Sequence, residues 1–119
     1  MAKTLEEMVA EAREAAEQTS VEEVRDAMKS GEDVLILDVR EPVEWEEARI
    51  REAKLLPRGL LEYMAAEVLP DKNARIVIHC ATGGRGALAA KTLKEMGYEN
   101  VANMDGGITV WKERGYEVE

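Results

Sequence analysis

An α/β fold, a central parallel sheet with helices on both faces, is predicted by three features of the 119-residue sequence. Two apolar runs, "DVLILDV" at 33–39 and "RIVIH" at 75–79, lack polar alternation, the pattern of strands covered on both sides. Segments of helical period stand between and after them. Each run gives way to a polar or Gly-rich loop and then a helix, which implies right-handed crossovers between parallel strands.

Taken in order, Thr4 and Glu7 form a capping box, and Leu5, Met8, Val9 and Ala12 follow at helical spacing, so residues 5–18 read as an amphipathic helix. Ser20 and Glu23 open a second helix, which carries Val21, Val24, Ala27 and Met28 on one face and stops near Gly31. The Thr19–Ser20 junction divides the chain into an N-terminal helical extension, 1–18, and a core domain, 19–119. After the first strand, Pro42 suits the first position of a short helix through "VEWEEA", with Trp45 as its expected core anchor. Leu55 and Leu56 suggest a short strand before Pro57, and "GLLEYMAAEVL" reads as a helix ending before Pro70. The second strand leads into "CATGG", and "RGALAAKTLKEM" is helical, with Gly97 as its stop. The chain then runs through "YENVANM" and a short strand to the turn "DGG" and a last helix, "ITVWKERG".

Sixteen Lys and Arg against 25 Asp and Glu leave a net charge of −9, which repels nucleic acid and anionic membranes. The apolar runs are far shorter than the roughly 20 residues of a membrane span. The first residues lack the apolar stretch of a signal peptide, so a cytoplasmic protein is expected. One cysteine can form neither an internal disulfide nor a CxxC pair, and its blandest reading is a small buried hydrophobe.

The surroundings of Cys80 argue otherwise. It ends a strand, where open parallel sheets collect reactive groups, and a helix begins near Arg85 or Gly86 with free N–H groups pointing back at the loop. Those dipoles and the Arg85 guanidinium favour a thiolate nucleophile. Gly83 and Gly84 allow positive φ, so that successive amides turn inward as an anion nest, and Thr82 adds a hydroxyl donor. Adjacent strand residues point to opposite faces, which gives His79 a structural place and no direct action on Cys80. A cysteine phosphatase loop has five residues between cysteine and arginine. Here there are four, Ala81 to Gly84, and the smaller ring suits one added sulfur atom better than a phosphate.

The segment Cys80–Arg85 resembles the active-site loop of rhodanese-like sulfurtransferases: Cys, four residues, Arg, with glycine often fourth, as Gly83 is. "LILDVREPVEWEEARIREA", 35–53, is similar to that family's Asp-x-Arg-x-x-x-Glu/Asp-aromatic segment, and "NMDGGITVWKERGYEV" to its Gly-Gly-x-x-x-Trp signature. All three motifs occur in order, over about residues 20–118. Two departures stand out. Ala48–Ala53 replaces Gly-His-Ile-x-Gly-Ala, which affects packing, and Gly86 replaces the common Ser or Thr after the loop arginine, which removes a hydroxyl from the helix start.

The resemblance implies a sulfurtransferase in which Cys80 takes the outer sulfur of a donor such as thiosulfate as a persulfide and passes it to a thiol or cyanide. It implies a small donor and acceptor or a protein sulfur carrier as partners, no cofactor, no metal, and neither nucleic acid nor membrane. Residues 81–86 (Ala81, Thr82, Gly83, Gly84, Arg85, Gly86) form the substrate loop, with Arg85 anchoring the loop or binding the anionic donor by a forked hydrogen bond. Asp38 and Arg40, flanking Val39 on one strand face, are read as structural bracing. Arg58 either attracts an anionic donor at the mouth of the site or is a solvated surface arginine. The rivals are a non-catalytic rhodanese-like binding module and a cysteine phosphatase or arsenate reductase.

Overall fold

The computed structural model describes residues 2–119. Thr4 caps α1 (Leu5–Ala15) with a full capping box, and Ser20 caps α2 (Val21–Lys29) through its side chain. Between them, Glu17–Thr19 forms a strand, β1. Then come β2 (Val34–Asp38), α3 (Pro42–Glu47), β3 (Lys54–Leu55), a 3₁₀ turn (Arg58–Leu60), α4 (Leu61–Val68), β4 (Arg75–His79), α5 (Gly84–Glu95), β5 (Val101–Met104) and α6 (Gly107–Glu113). All strand pairs are parallel, in the order β1-β5-β4-β2-β3. The two apolar runs identified from sequence are β2 and β4, paired along their whole length from Val34–Arg75 to Asp38–His79.

Each face of the sheet buries its own cluster. On one side Leu37, Ile76 and Ile78 meet Leu61, Ala65, Ala89, Ala90 and Leu93 of α4 and α5. On the other, Ile36, Val77 and Met104 meet Val21 and Val24 of α2 and Ile108 and Trp111 of α6. A side chain of this size contributes roughly 1.5–3 kcal/mol when fully buried, so both helix layers are held by burial more than by propensity. Among the described residues, no helix is long and apolar enough to cross a membrane.

Three expectations are corrected. The first helix ends at Ala15, not residue 18, because Glu17–Thr19 adds to the sheet beside β5, Gln18 lying opposite Asn103. Leu5 and Met8 of that helix are exposed, and its packing contact comes from Val9 and Ala12. Trp45 is not a core anchor: α3 buries no residue, and the Trp45 ring is half-buried with the Arg49 guanidinium 5.0 Å from its centroid. The departure at 48–53 has a local use, since Arg49 Nε donates to Oε1 of Glu119 at 3.2 Å and Arg51 pairs with Glu117 and Glu119 at 3.6 and 3.5 Å.

Candidate active site

Cys80 directly follows β4, and Gly83, at φ +128°, is the N-cap of α5. That conformation belongs to glycine, and it turns two amides onto the sulfur: N–H of Gly83 and N–H of Gly86 donate to Sγ at 3.1 and 3.2 Å. The residue is 1% exposed, yet the thiol faces main-chain dipoles at a helix start and not hydrocarbon alone. Of the other loop residues, Ala81 and Gly84 are half-buried and Thr82 is exposed. The outer strand of the loop hangs from α6, where N–H of Ile108 donates to the Cys80 carbonyl and N–H of Thr109 to that of Ala81, both at 3.0 Å. The "DGG" turn makes this approach with Gly106 and Gly107 at positive φ.

Arg85 is engaged by α3. Its Nη1 and Nη2 donate to Oε1 and Oε2 of Glu44 at 2.7 and 2.9 Å, a forked clasp between the loop and α3. The Arg85 hydrogen bond holds the Glu44 carboxyl down to a pKa of about 2, against partial desolvation. Because the folded value is the lower one, the clasp is intact above the ordinary carboxylate range and is lost only as pH falls through about 2. The one sign of Glu44 in the sequence is the Glu/Asp-aromatic pattern at 44–45.

Asp38 and Arg40 brace the floor. Arg40 Nε and Nη2 donate to the carboxylate at 3.0 and 2.8 Å, the Arg40 N–H adds a further bond at 3.0 Å, and Nη2 also reaches the Ala48 carbonyl at 2.7 Å. Both residues are buried. His79 is fully buried, donates from Nδ1 to the Cys80 carbonyl at 3.3 Å, and holds Nε2 3.7 Å from the Asp38 carboxylate. Burial lowers its pKa, outweighing the attraction of Asp38, so the ring is neutral. Arg58 is engaged by Glu62 at 3.0 Å and by the Thr92 hydroxyl at 3.2 Å.

Gly86 is explained by a residue that sequence reasoning passed over. A Cβ there would overlap Oδ1 of Asn103, whose buried amide fills the space a side chain after Arg85 would occupy. Asn103 Nδ2 donates to Oε1 of Gln18 at 2.9 Å and to the Gly83 carbonyl at 3.3 Å, linking β1, β5 and the loop. Its one signal in the sequence is a polar side chain inside the run "VANM". Gly86→Ser is therefore expected to destabilise the protein by about 1–3 kcal/mol through overpacking. Asn103→Ala in the same chain should recover part of that loss, a coupling readable by thermal denaturation of the single and double variants. Among the described residues, no three His, Cys, Asp or Glu side chains cluster as a metal site.

The family model described as a rhodanese-like domain matches residues 20–114. A protein named sulfurtransferase from Allochromatium vinosum is 36% identical over 87 residues, covering 73% of this chain and 79% of the relative. A probable adenylyltransferase/sulfurtransferase, MoeZ of Mycobacterium tuberculosis, is 34% identical over 75% of this chain, which spans only 23% of that relative's length. Among solved structures, a Rhodopseudomonas palustris protein of unknown function, described as a possible tyrosine phosphatase, superposes with a TM-score of 0.93 at 31% identity. The match covers 100% of this chain and 96% of that one. A thiosulfate sulfurtransferase from Pseudomonas aeruginosa gives a TM-score of 0.82 at 26% identity, covering 94% of this chain and 22% of that chain.

Proposed function

The chain belongs to the rhodanese-like domain family, and on that premise we propose that it moves sulfane sulfur through a persulfide on Cys80. The observation that carries this reading is the pair of amides, from Gly83 and Gly86, converging on Sγ inside a loop with four residues between Cys80 and Arg85. The thiolate attacks the outer sulfur of a donor such as thiosulfate. A new S–S bond forms to Cys80, the donor's S–S bond breaks, and sulfite leaves with the electron pair. Cyanide or a thiolate, free or on a protein carrier, then attacks the outer sulfur and releases the Cys80 thiolate. The steps balance without a redox partner or cofactor. The charge carried by the Cys80 thiolate, before attack and again on release, meets donors already in position at Sγ, so little reorganisation is needed. Arg85, held by Glu44, keeps the amides aimed. A reducing, cytoplasmic setting would keep the lone thiol free.

Incubation with thiosulfate and cyanide is expected to yield thiocyanate, and Cys80→Ser should bring the rate to background. A protein that folds and forms no thiocyanate with any sulfane donor would favour a non-catalytic binding module. The phosphatase reading has one support, the description of the R. palustris structure. Against it stand the short loop and an arginine whose two Nη donors are both taken up by Glu44. Hydrolysis of p-nitrophenyl phosphate dependent on Cys80 would reinstate it.

A further inference from the structure

The family match begins at residue 20, yet the segment before it reaches the active-site loop. Helix α1 lies on α5: a Cβ on Gly84 would meet Val9 at 3.8 Å, and one on Gly83 would meet Nη2 of Arg13 at 3.1 Å and Oδ1 of Asp105 at 3.3 Å. Gly83 is the residue whose N–H faces Sγ. An anionic donor approaching a protein of charge −9 needs a local cation, and the arginines around the loop are already occupied. Arg40 is buried on Asp38, Arg85 is forked onto Glu44, and Arg58 is shared between Glu62 and Thr92. Arg13 differs. Only its Nη1 is paired, with Asp105, and both side chains are open to water, at 36% and 57% exposure. An exposed pair of this kind contributes about 0–1 kcal/mol, so an incoming anion can displace Asp105 at small cost.

We propose that Arg13, supplied by the N-terminal helix, recognises anionic sulfur donors at the loop, with Asp105 as the group they displace. The proposal deepens the sulfur-transfer reading and rests on it for the identity of the ligand. It makes the extension part of the donor site and assigns the preferred donors to the anionic sulfane class, with thiosulfate the simplest member.

A test independent of turnover is alkylation of Cys80 by two small reagents of different charge. In Arg13→Gln, the rate with iodoacetate relative to iodoacetamide should fall about 3- to 10-fold at low salt. In Asp105→Asn the same ratio should rise, and in Arg13→Lys it should stay near the wild-type value. Added salt should shrink these differences. A structural role for the pair would move Arg13→Gln and Asp105→Asn in the same direction, and that outcome, or an unchanged ratio in Arg13→Gln, overturns the proposal. With wild type active, the KM for thiosulfate should rise in Arg13→Gln by a similar factor, with a smaller rise for a neutral organic trisulfide. If wild type transfers no sulfur while the alkylation ratio still responds with opposite signs, anion recognition stands and the sulfur-transfer reading fails.

Discussion

Gly107→Ala is expected to lower stability by about 3–5 kcal/mol and to remove sulfur transfer at assay temperature, because two costs fall on one atom. Gly107 has φ +57°, in the left-handed region, where an L side chain costs about 1–2 kcal/mol. Its Cβ would also run into the Ala81 carbonyl oxygen, 2.6 Å away, and the Cys80 carbonyl oxygen. Those are the acceptors that α6 holds through Ile108 and Thr109, so relieving the collision means moving the loop that carries the thiol. Gly115→Ala is the control. It has φ +76° with no atom within 4 Å of the added Cβ, and it should show only the backbone cost, about 1 kcal/mol, with turnover retained. Thermal denaturation and thiocyanate formation, measured on both variants, separate strain from collision.

Arg40→Met is the second large effect, expected to destabilise by about 3–5 kcal/mol by leaving a buried carboxylate without its partner. Asp38 is fully buried, and three of its four hydrogen bonds from Arg40, those from the guanidinium, would vanish with it. The loss should depend on pH in a definite direction. In wild type, burial first and Arg40 also oppose protonation of His79, which faces the Asp38 carboxylate at 3.7 Å. Without the arginine, the folded state gains affinity for a proton on His79. A folded pKa raised above that of wild type adds stability at low pH that is lost as pH rises. Arg40→Met should therefore be less destabilised, relative to wild type, at pH 6 than at pH 8 in urea titrations. A pH-independent difference would contradict the coupling of Asp38, Arg40 and His79.

What could be read from sequence divides along a physical line. Features set by near neighbours in the chain were legible: the capping residues Thr4 and Ser20, the stops at Gly31 and Gly97, the doubly covered strands β2 and β4, and the loop running from Cys80 into α5. Features set by partners distant in sequence were not. Glu17–Thr19 has no strand pattern of its own and becomes β1 because β5 offers an edge to pair with. Trp45 carries the right chemistry for a core but sits on a six-residue helix that buries no residue, and an arginine covers it instead. At the site, the family motifs marked Cys80, Asp38, Arg40 and Arg85. They did not show that Glu44 takes up both ends of the Arg85 guanidinium, or that Asn103 occupies the space beside Gly86. Gln18 and Arg13 were invisible for the same reason, since Gln18 meets Asn103 and Arg13 meets Gly83, each across more than sixty residues of chain.

The central claim is that the amides of Gly83 and Gly86 hold a sulfur atom on Cys80. Mass spectrometry of the intact protein after treatment with thiosulfate, or with a polysulfide as alternative donor, tests it most directly. The account predicts a gain of one sulfur that maps to the peptide containing Cys80, is absent in Cys80→Ser, and disappears on adding a thiol reductant or cyanide. An unmodified Cys80 after exposure to both donors, in protein whose thiol still reacts with iodoacetamide, would contradict it.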